Sequence, residues 1–375
     1  MIVVTPAYDS GVPASTASPS TPSSGPSSPT PSPPAPAPAR RPTITDVARA
    51  AGVSIAVVSY ALNGRPGVSA ATRERVLRVA DEFGWRPSAA ARSMRSGPRA
   101  IGLVVDRGAA GPVAQATGVL EFVIALQEVL ATRNLALMLQ IVDGPEAAVS
   151  LYGDWWAERR FDVMVVTDVL VEDPRIDALR RLRAPAVIVG AGHSDADVAS
   201  VTLDHTEGFV RVGRYLLELG HRHVALVSGP TELERTRERL AALTGVLDAA
   251  GGLLVHEATG GTAEEAAVAT RRLVTGGRAP TAIVYDSDQM AVAALDVARR
   301  TGLAVPWDLS VVAGSDSALC RLATPSITTL PSAQRELGAA TGEVVLAVLD
   351  GDPRAQRELH IGGLAVRGST GPRSR

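Results

Sequence analysis

From residue 100 onward, short apolar runs alternate with amphipathic stretches. AIGLVV (100–105), ALMLQIV (136–142), DVMVVT (162–167), AVIVGA (186–191) and SVTLD (200–204) predict strands. So do HVALVSG (223–229), LLVHEA (253–258), AIVYD (282–286) and LSVVAG (309–314). Apolar runs of this length, bounded by turn signals, suit strands buried on both faces. Between them, helical periodicity covers 118–133, 207–219, 234–250, 263–275 and 288–301. Alternating strands and helices predict βαβ units and parallel sheets. So many strands fit two doubly wound subdomains better than one sheet. The expected N-subdomain is about 100–200 plus a return near 318–335. The expected C-subdomain is about 205–315 plus the C-terminal segment. A helix at 334–349 carries Leu337, Val344, Val345 and Val348, which suit either a core face or a dimer contact.

Residues 42–86 read differently, as three short helices. Thr43 caps the first, with Asp46 placed for a capping box, and Val47, Ala48 and Ala51 form its inward stripe. Gly52 ends it where a left-handed residue is wanted. Ser54 caps the second helix, with Val57, Val58, Ala61 and Leu62 toward the core. NGRPG (63–67) is a loop, and Ser69 caps a third helix whose apolar face is Val76, Val79, Ala80 and Phe83. After Pro87, residues 88–95 could form an Ala-rich helix of about two turns, marginal by itself. Residues 87–99 therefore read as a hinge helix and linker. Residues 1–41 contain 11 Pro among Ser and Ala, and are expected to stay disordered.

The net charge is −2, but its distribution is uneven. Residues 40–99 hold 11 Arg against Asp46, Glu74, Asp81 and Glu82, a local excess of seven positive charges. The single cysteine, Cys320, excludes an intrachain disulfide and a cysteine-rich metal site. The start lacks a basic segment followed by a long apolar one, so no signal peptide is expected. Nor is there a long uncharged apolar run to span a membrane, and a cytoplasmic location is expected.

Two helices joined by a tight glycine turn form a helix-turn-helix, whose second helix enters the DNA major groove. Ile55, Ala56 and Tyr60 would face base edges, and Ser54 and Ser59 would meet phosphates. The arginine excess supplies sequence-independent attraction.

The stretch TITDVARAAGVSIAVVSYALNGRPGVSAATRERV resembles the N-terminal domain of the lactose-repressor/galactose-repressor family. LELGHRHVALVSGP (217–230), TAIVYDSDQMAVAAL (281–295), VPWDLSVVAGSDS (305–317) and PSITTL (325–330) extend the likeness through the body. The resemblance implies an all-α helix-turn-helix domain on a periplasmic-binding-protein-like α/β core, residues 100–375. It implies a homodimer reading a palindromic operator, each copy placing residues 54–62 in a major groove. Residues 88–95 would pair with their twin in the central minor groove. Met94 stands where the family wedges a leucine between base pairs, and Ala91 would line the groove floor. Ile55 and Ala56 cannot form bidentate hydrogen bonds to bases, which leaves thymine methyl contacts, the loop residues Asn63 and Arg65, and DNA shape.

The resemblance also places a small-molecule effector, such as a sugar, in the crevice at the strand ends. It makes Arg239 the effector-binding arginine, able to bridge two hydroxyls or a carboxylate. Ser287 replaces a usual Asn, Ser315 replaces a usual effector-binding Asp with Asp316 following, and Gly190 replaces a side-chain ligand. Asp106, ending the first strand, is a further candidate, although a helix cap explains it and Asp316 equally well.

Other motifs carry less. VGAGHSD (189–195) lacks the third glycine of a dinucleotide fingerprint. HRH (221–223) lacks further metal ligands and reads as a helix end with exposed imidazoles. LDHTEG (203–208) reads as a strand end capping a helix. No cofactor and no catalytic constellation are expected. The rival readings are a solute-binding protein and a sugar-modifying enzyme built on the same α/β body.

Overall fold

The computed structural model describes residues 3–4, 42–62, 66–83, 100–107, 116–190 and 197–373. The expected hinge, 87–99, lies outside them, as does the tail 1–41 apart from Val3–Val4. The chain divides into two compact units, a helical head within residues 6–97 and a body of residues 98–375 with the first five residues.

In the head, α1 (Ile44–Ala51), α2 (Ile55–Leu62) and α3 (Ala70–Glu82) enclose a seam of small side chains. Val47, Val58 and Val76 are fully buried, and Ala48, Ala51, Ala61 and Ala80 fill between them. Valine and alanine allow such short helices to approach closely enough to exclude water. The Asp46 carboxylate accepts from the Thr43 N–H at 2.8 Å and from its hydroxyl at 2.7 Å. Gly52 adopts φ 64°, a conformation that costs glycine little, and the axis turns 99° between α1 and α2. Val57, Leu62 and Val79, expected in the core, are half-buried. Phe83 is 43% exposed, because it caps the last turn of α3 beyond the seam.

The body has two parallel sheets. One has the order β1-β3-β2-β4-β5-β6-β12, with β1 (Val3–Val4), β2 (Ala100–Asp106), β3 (Ala136–Val142), β4 (Val163–Val166), β5 (Ala186–Gly190), β6 (Ala199–Asp204) and β12 (Gln356–His360). The other has the order β11-β10-β9-β7-β8, with β7 (His223–Ser228), β8 (Leu253–Ala258), β9 (Ala282–Tyr285), β10 (Ser310–Ala313) and β11 (Thr328–Thr329). The central strands β4, β9 and β10 are buried along their whole length, as uninterrupted apolar runs demand. Helices α4 (Ala116–Ala131), α5 (Pro145–Ala157), α6 (Pro174–Leu182) and α12 (Gln334–Leu349) accompany the first sheet. Helices α7 (Thr206–Glu218), α8 (Glu234–Ala249), α9 (Ala263–Thr275), α10 (Asp288–Arg300) and α11 (Ala318–Leu322) accompany the second.

The points where the chain changes lobe differ from the expected ones. Residues 318–335 do not return to the first lobe as a block, because β11 pairs with β10 of the second. The return is made by α12 and by β12, which pairs with β6. The last residues then go back to the second lobe, where the Ser369 hydroxyl donates to the Val311 carbonyl at 2.6 Å and accepts the Thr328 N–H at 2.8 Å. Strand β12 was missed because QRELH is charged and largely exposed, so it lacks an apolar run. Val3–Val4 pairs with Met138 and Leu139 of β3, in a segment expected to be unstructured throughout.

Helix α12 packs along α4, and Leu337, Val344 and Val345 are buried there, which makes this a core face. The contact is close. A Cβ on Gly338 would lie 2.3 Å from the Phe122 carbonyl oxygen, and one on Gly342 2.6 Å from the Val129 Cβ. Gly342→Val is therefore expected to destabilise the body by about 1–3 kcal/mol through overpacking. Urea unfolding measures it, and an unchanged midpoint would mean that the helices separate freely. Cys320 is the buried residue of α11, and burial pushes its thiol up to about 11.

Candidate functional site

In the head, α2 presents Ser54, Ile55, Ala56 and Tyr60 outward, with Ile55 48% and Tyr60 43% exposed. Ser59 is half-buried. The Ser54 oxygen accepts the Val57 N–H at 3.3 Å, which caps the helix and leaves the hydroxyl proton to donate elsewhere. Isoleucine and tyrosine are bulky groups to leave exposed on one helix, and neither belongs to the buried three-helix seam. Asn63, Arg65, Ala91 and Met94 lie outside the described residues. So do the arginines that make this region basic. The described residues 42–83 hold four Arg (49, 73, 75, 78) against four acids (46, 74, 81, 82). The excess of seven comes from Arg40, Arg41, Arg65, Arg86, Arg92, Arg95 and Arg99.

In the body, a cleft of about 600 Å³ opens between the lobes at the strand C-terminal ends. Five expected residues line it: Gly190, Arg239, Ser287, Ser315 and Asp316. Asp106 is not among its described lining. The Asp106 carboxylate accepts the Gly144 N–H at 3.0 Å, beside the start of α5. Asp316 is also committed elsewhere, to Arg367 at 2.8 Å and Arg321 at 2.9 Å. Burial would raise its pKa, but the hydrogen bonds from these arginines outweigh burial and hold it below the usual carboxylate value. The Ser287 hydroxyl caps α10 by accepting the Met290 N–H at 3.4 Å.

Arg239 projects from α8 to the cleft floor. Its Nη1 lies 3.4 Å from Asp286 Oδ1, and its guanidinium carbon lies 5.4 Å from the centre of the Phe209 ring. Burial lowers its pKa, opposed by the attraction of Asp286. Its Nη2 lies 3.3 Å from His205 Nδ1. A guanidinium can only donate, so Nδ1 accepts and the imidazole proton sits on Nε2. Burial and then the charges of Arg239 and Arg235 push the His205 pKa well below its ordinary value, which keeps the ring neutral.

A strap joins the lobes at one lip. The Val171 N–H donates to the Glu232 carbonyl at 2.9 Å, and the Glu234 N–H donates to the Val169 carbonyl at 3.0 Å. Asp168 and Arg235 form an ion pair across the same gap. Arg235 is one helical turn before Arg239 on α8, so strap and floor share one rod.

Residue reasoning passed over His205, Asp168, Arg235 and Asp286. Asp286 immediately follows β9, and the rule that singled out Asp106 at the end of β2 would have found it. The HRH motif also differs from expectation. His221 is buried rather than exposed, its ring reaching the Thr281 hydroxyl at 2.9 Å and the Gly371 carbonyl at 3.0 Å. It ties the C-terminal segment to the second lobe. Among the described residues no group of three potential metal-binding side chains occurs.

Glu238, also on α8, is pushed up to about 7 by burial and by the negative charges of Glu234 and Asp204, against the pull of Arg239. The folded chain thus holds this proton more tightly than the unfolded chain. Its contribution to stability falls as pH rises from the ordinary carboxylate range toward neutrality. His205 acts in the opposite sense, gaining stability as pH rises through the ordinary histidine range. Glu238→Gln is expected to remove only the first effect, so the variant should gain on the wild type progressively between about pH 5 and 7.5. Denaturant midpoints across that range check this, and parallel curves would refute it.

Comparison with known proteins settles the family. Residues 43–88 match the family described as bacterial regulatory proteins, lacI family, and residues 214–370 match the periplasmic binding protein-like domain. The transcriptional regulator AglR of Rhizobium meliloti is 30% identical over 341 residues, covering 88% of this chain and 94% of its own. The chain belongs to the lacI family. The lac repressor dimer bound to operator and the anti-inducer ONPF superimposes with a TM-score of 0.78 at 25% identity, covering 88% of this chain and all of that one. The regulator CelR in complex with cellobiose gives 0.64 at 27% identity, with the same coverage. As a lacI-family protein, the chain is a helix-turn-helix transcriptional regulator and not an enzyme. Among its described residues, no single helix is long and apolar enough to cross a membrane.

Proposed function

We propose that this lacI-family protein is a cytoplasmic homodimeric repressor. It reads a palindromic operator through α2 and answers to an uncharged metabolite, such as a sugar, bound between the lobes. The observation that carries this reading is the union in one chain of two surfaces. One is the outward Ile55–Ala56–Tyr60 face of α2, and the other is a polar-floored cleft centred on Arg239. The lac repressor relative has operator and anti-inducer bound at once, and the CelR relative holds cellobiose. In this chain Ile55 and Ala56 would meet thymine methyls, and Tyr60 adds a hydroxyl and a flat ring. The arginines on either side of the described head supply the salt-dependent attraction to phosphates.

The switch is a shift between lobe orientations. An effector that engages Arg239 acts on the same helix as Arg235, and so on the strap to Asp168. A mobility-shift assay on DNA upstream of the coding region, with and without a panel of uncharged sugars, tests the reading. The expected result is a discrete complex that weakens with salt, changes with one sugar, and loses that change in Arg239→Ala. Absence of any complex at every salt concentration would favour a solute-binding protein instead.

A further inference from the structure

The charge of Arg239 is already answered within the protein. Asp286 Oδ2 is pinned by the Gly229 N–H at 3.0 Å, which holds the carboxylate against the guanidinium. The main-chain carbonyl of Asp286 also accepts from Arg239 Nη1, at 3.4 Å. The two side chains are only 11% and 10% exposed. The neutral ring of His205 adds no positive charge on the other side. The other lining guanidiniums are paired too, Arg235 with Asp168 and Arg321 with Asp316. Glu121 and Asp288, by contrast, line the cleft with no cationic partner among the described residues.

The pair is balanced in charge but incomplete in hydrogen bonds. Contacts of 3.3–3.4 Å lie at the long limit for such bonds. Arg239 Nε and Asp286 Oδ1 are buried without a hydrogen-bond partner, as is the Thr236 hydroxyl of the same wall. Unsatisfied buried polar atoms are costly, and a cluster of them beside a cleft marks unused binding capacity. A hydroxyl both donates and accepts, whereas a carboxylate or phosphate oxygen only accepts. A hydroxyl-bearing ligand can therefore accept from the guanidinium while donating to the carboxylate. An anion can reach the guanidinium only by approaching Asp286, in a water-poor wall where like charges repel strongly.

We propose that Asp286 is a specificity residue: it converts Arg239 from an anion receptor into a donor for uncharged, hydroxyl-bearing effectors, and it excludes phosphorylated and carboxylated ones. The proposal rests on the reading of the cleft as the effector site.

The test uses full-length protein and inorganic phosphate as the probe, followed by calorimetry and by the thermal midpoint at constant ionic strength. Wild type is expected to show no saturable binding. Asp286→Asn is expected to bind at least about tenfold more tightly, since the buried guanidinium has lost its counter-charge. Asp286→Asn combined with Arg239→Ala is expected to lose that gain. Equal phosphate affinity in wild type and Asp286→Asn would overturn the proposal. Should the Asn variant fail to fold, Asp286→Ser replaces it. A wild-type titration with glucose, gluconate and glucose 6-phosphate then provides an independent arm. Saturable binding of either anion, abolished by Arg239→Ala, would also overturn it.

The two readings fail separately. An operator response to glucose 6-phosphate would remove the role of Asp286 and leave the cleft as the effector site. A phosphate gain in Asp286→Asn, with operator binding indifferent to every uncharged sugar, would support the discrimination and remove the effector reading.

Discussion

Arg175→Ala is expected to lower the unfolding free energy of the body by about 3–5 kcal/mol, the cost of leaving one member of a buried ion pair alone. Arg175 and Asp173 have side chains only 2% and 1% exposed, joined at 2.6 Å. Arg175 Nη2 also donates to the carbonyls of Thr167 and Asp168 at 3.0 and 2.8 Å. Asp173 accepts the N–H groups of Leu170 and Arg175 at 3.1 and 2.9 Å. The pair thus braces the loop after β4, where Asp168 is held at φ 52°. That loop is the first lobe's half of the strap. Urea unfolding of Arg175→Ala, Asp173→Asn and the double variant gives the coupling. The double variant should lose less than the sum of the two singles, because removing both members strands no full charge. A single-variant loss below about 1 kcal/mol would show that the loop stands without its brace. The same variant should also weaken any effector response, since Asp168 would no longer be aimed at Arg235.

Ile55→Glu is expected to weaken operator binding on the order of 100-fold or more, through a carboxylate placed against the electronegative groove in both copies of a dimer. Because Ile55 is about half exposed, the head should keep its helical signal and its stability. Val58→Asp makes the contrast, since Val58 is fully buried and an unpaired charge there should unfold the head. Fluorescence anisotropy with operator DNA, beside circular dichroism of the same samples, separates the two cases. Undiminished binding by folded Ile55→Glu would show that α2 is not the reading helix.

How far residues alone reach is clear from particular elements. Strands β3 and β8 and helices α9 and α12 end where periodicity places them, because burial of an apolar face and the capping residues act locally. Strand β12 was not readable, since its exposed QRELH owes its position to backbone pairing with β6. The cleft shows the same division. Arg239, Ser287 and Ser315 came from family spacing, and they do line it. The partners that set their chemistry are distant in sequence. His205 is 34 positions from Arg239, and Asp286 is 47. No local pattern announces such neighbours, and only the packing of α8 against α7 and β8 brings Arg239 to His205 and Asp286, which follow the ends of β6 and β9. Asp106 illustrates the reverse, a residue at the right strand end whose carboxylate is engaged by the Gly144 N–H at the start of α5.

The concealment of Cys320 has a practical side. As the chain's sole thiol, and one raised in pKa and shut away from solvent, it should stay silent toward sulfhydryl reagents while the fold is intact. A cysteine introduced on each lip would then accept fluorophores without background labelling, and energy transfer between them would report opening and closing of the two halves in real time.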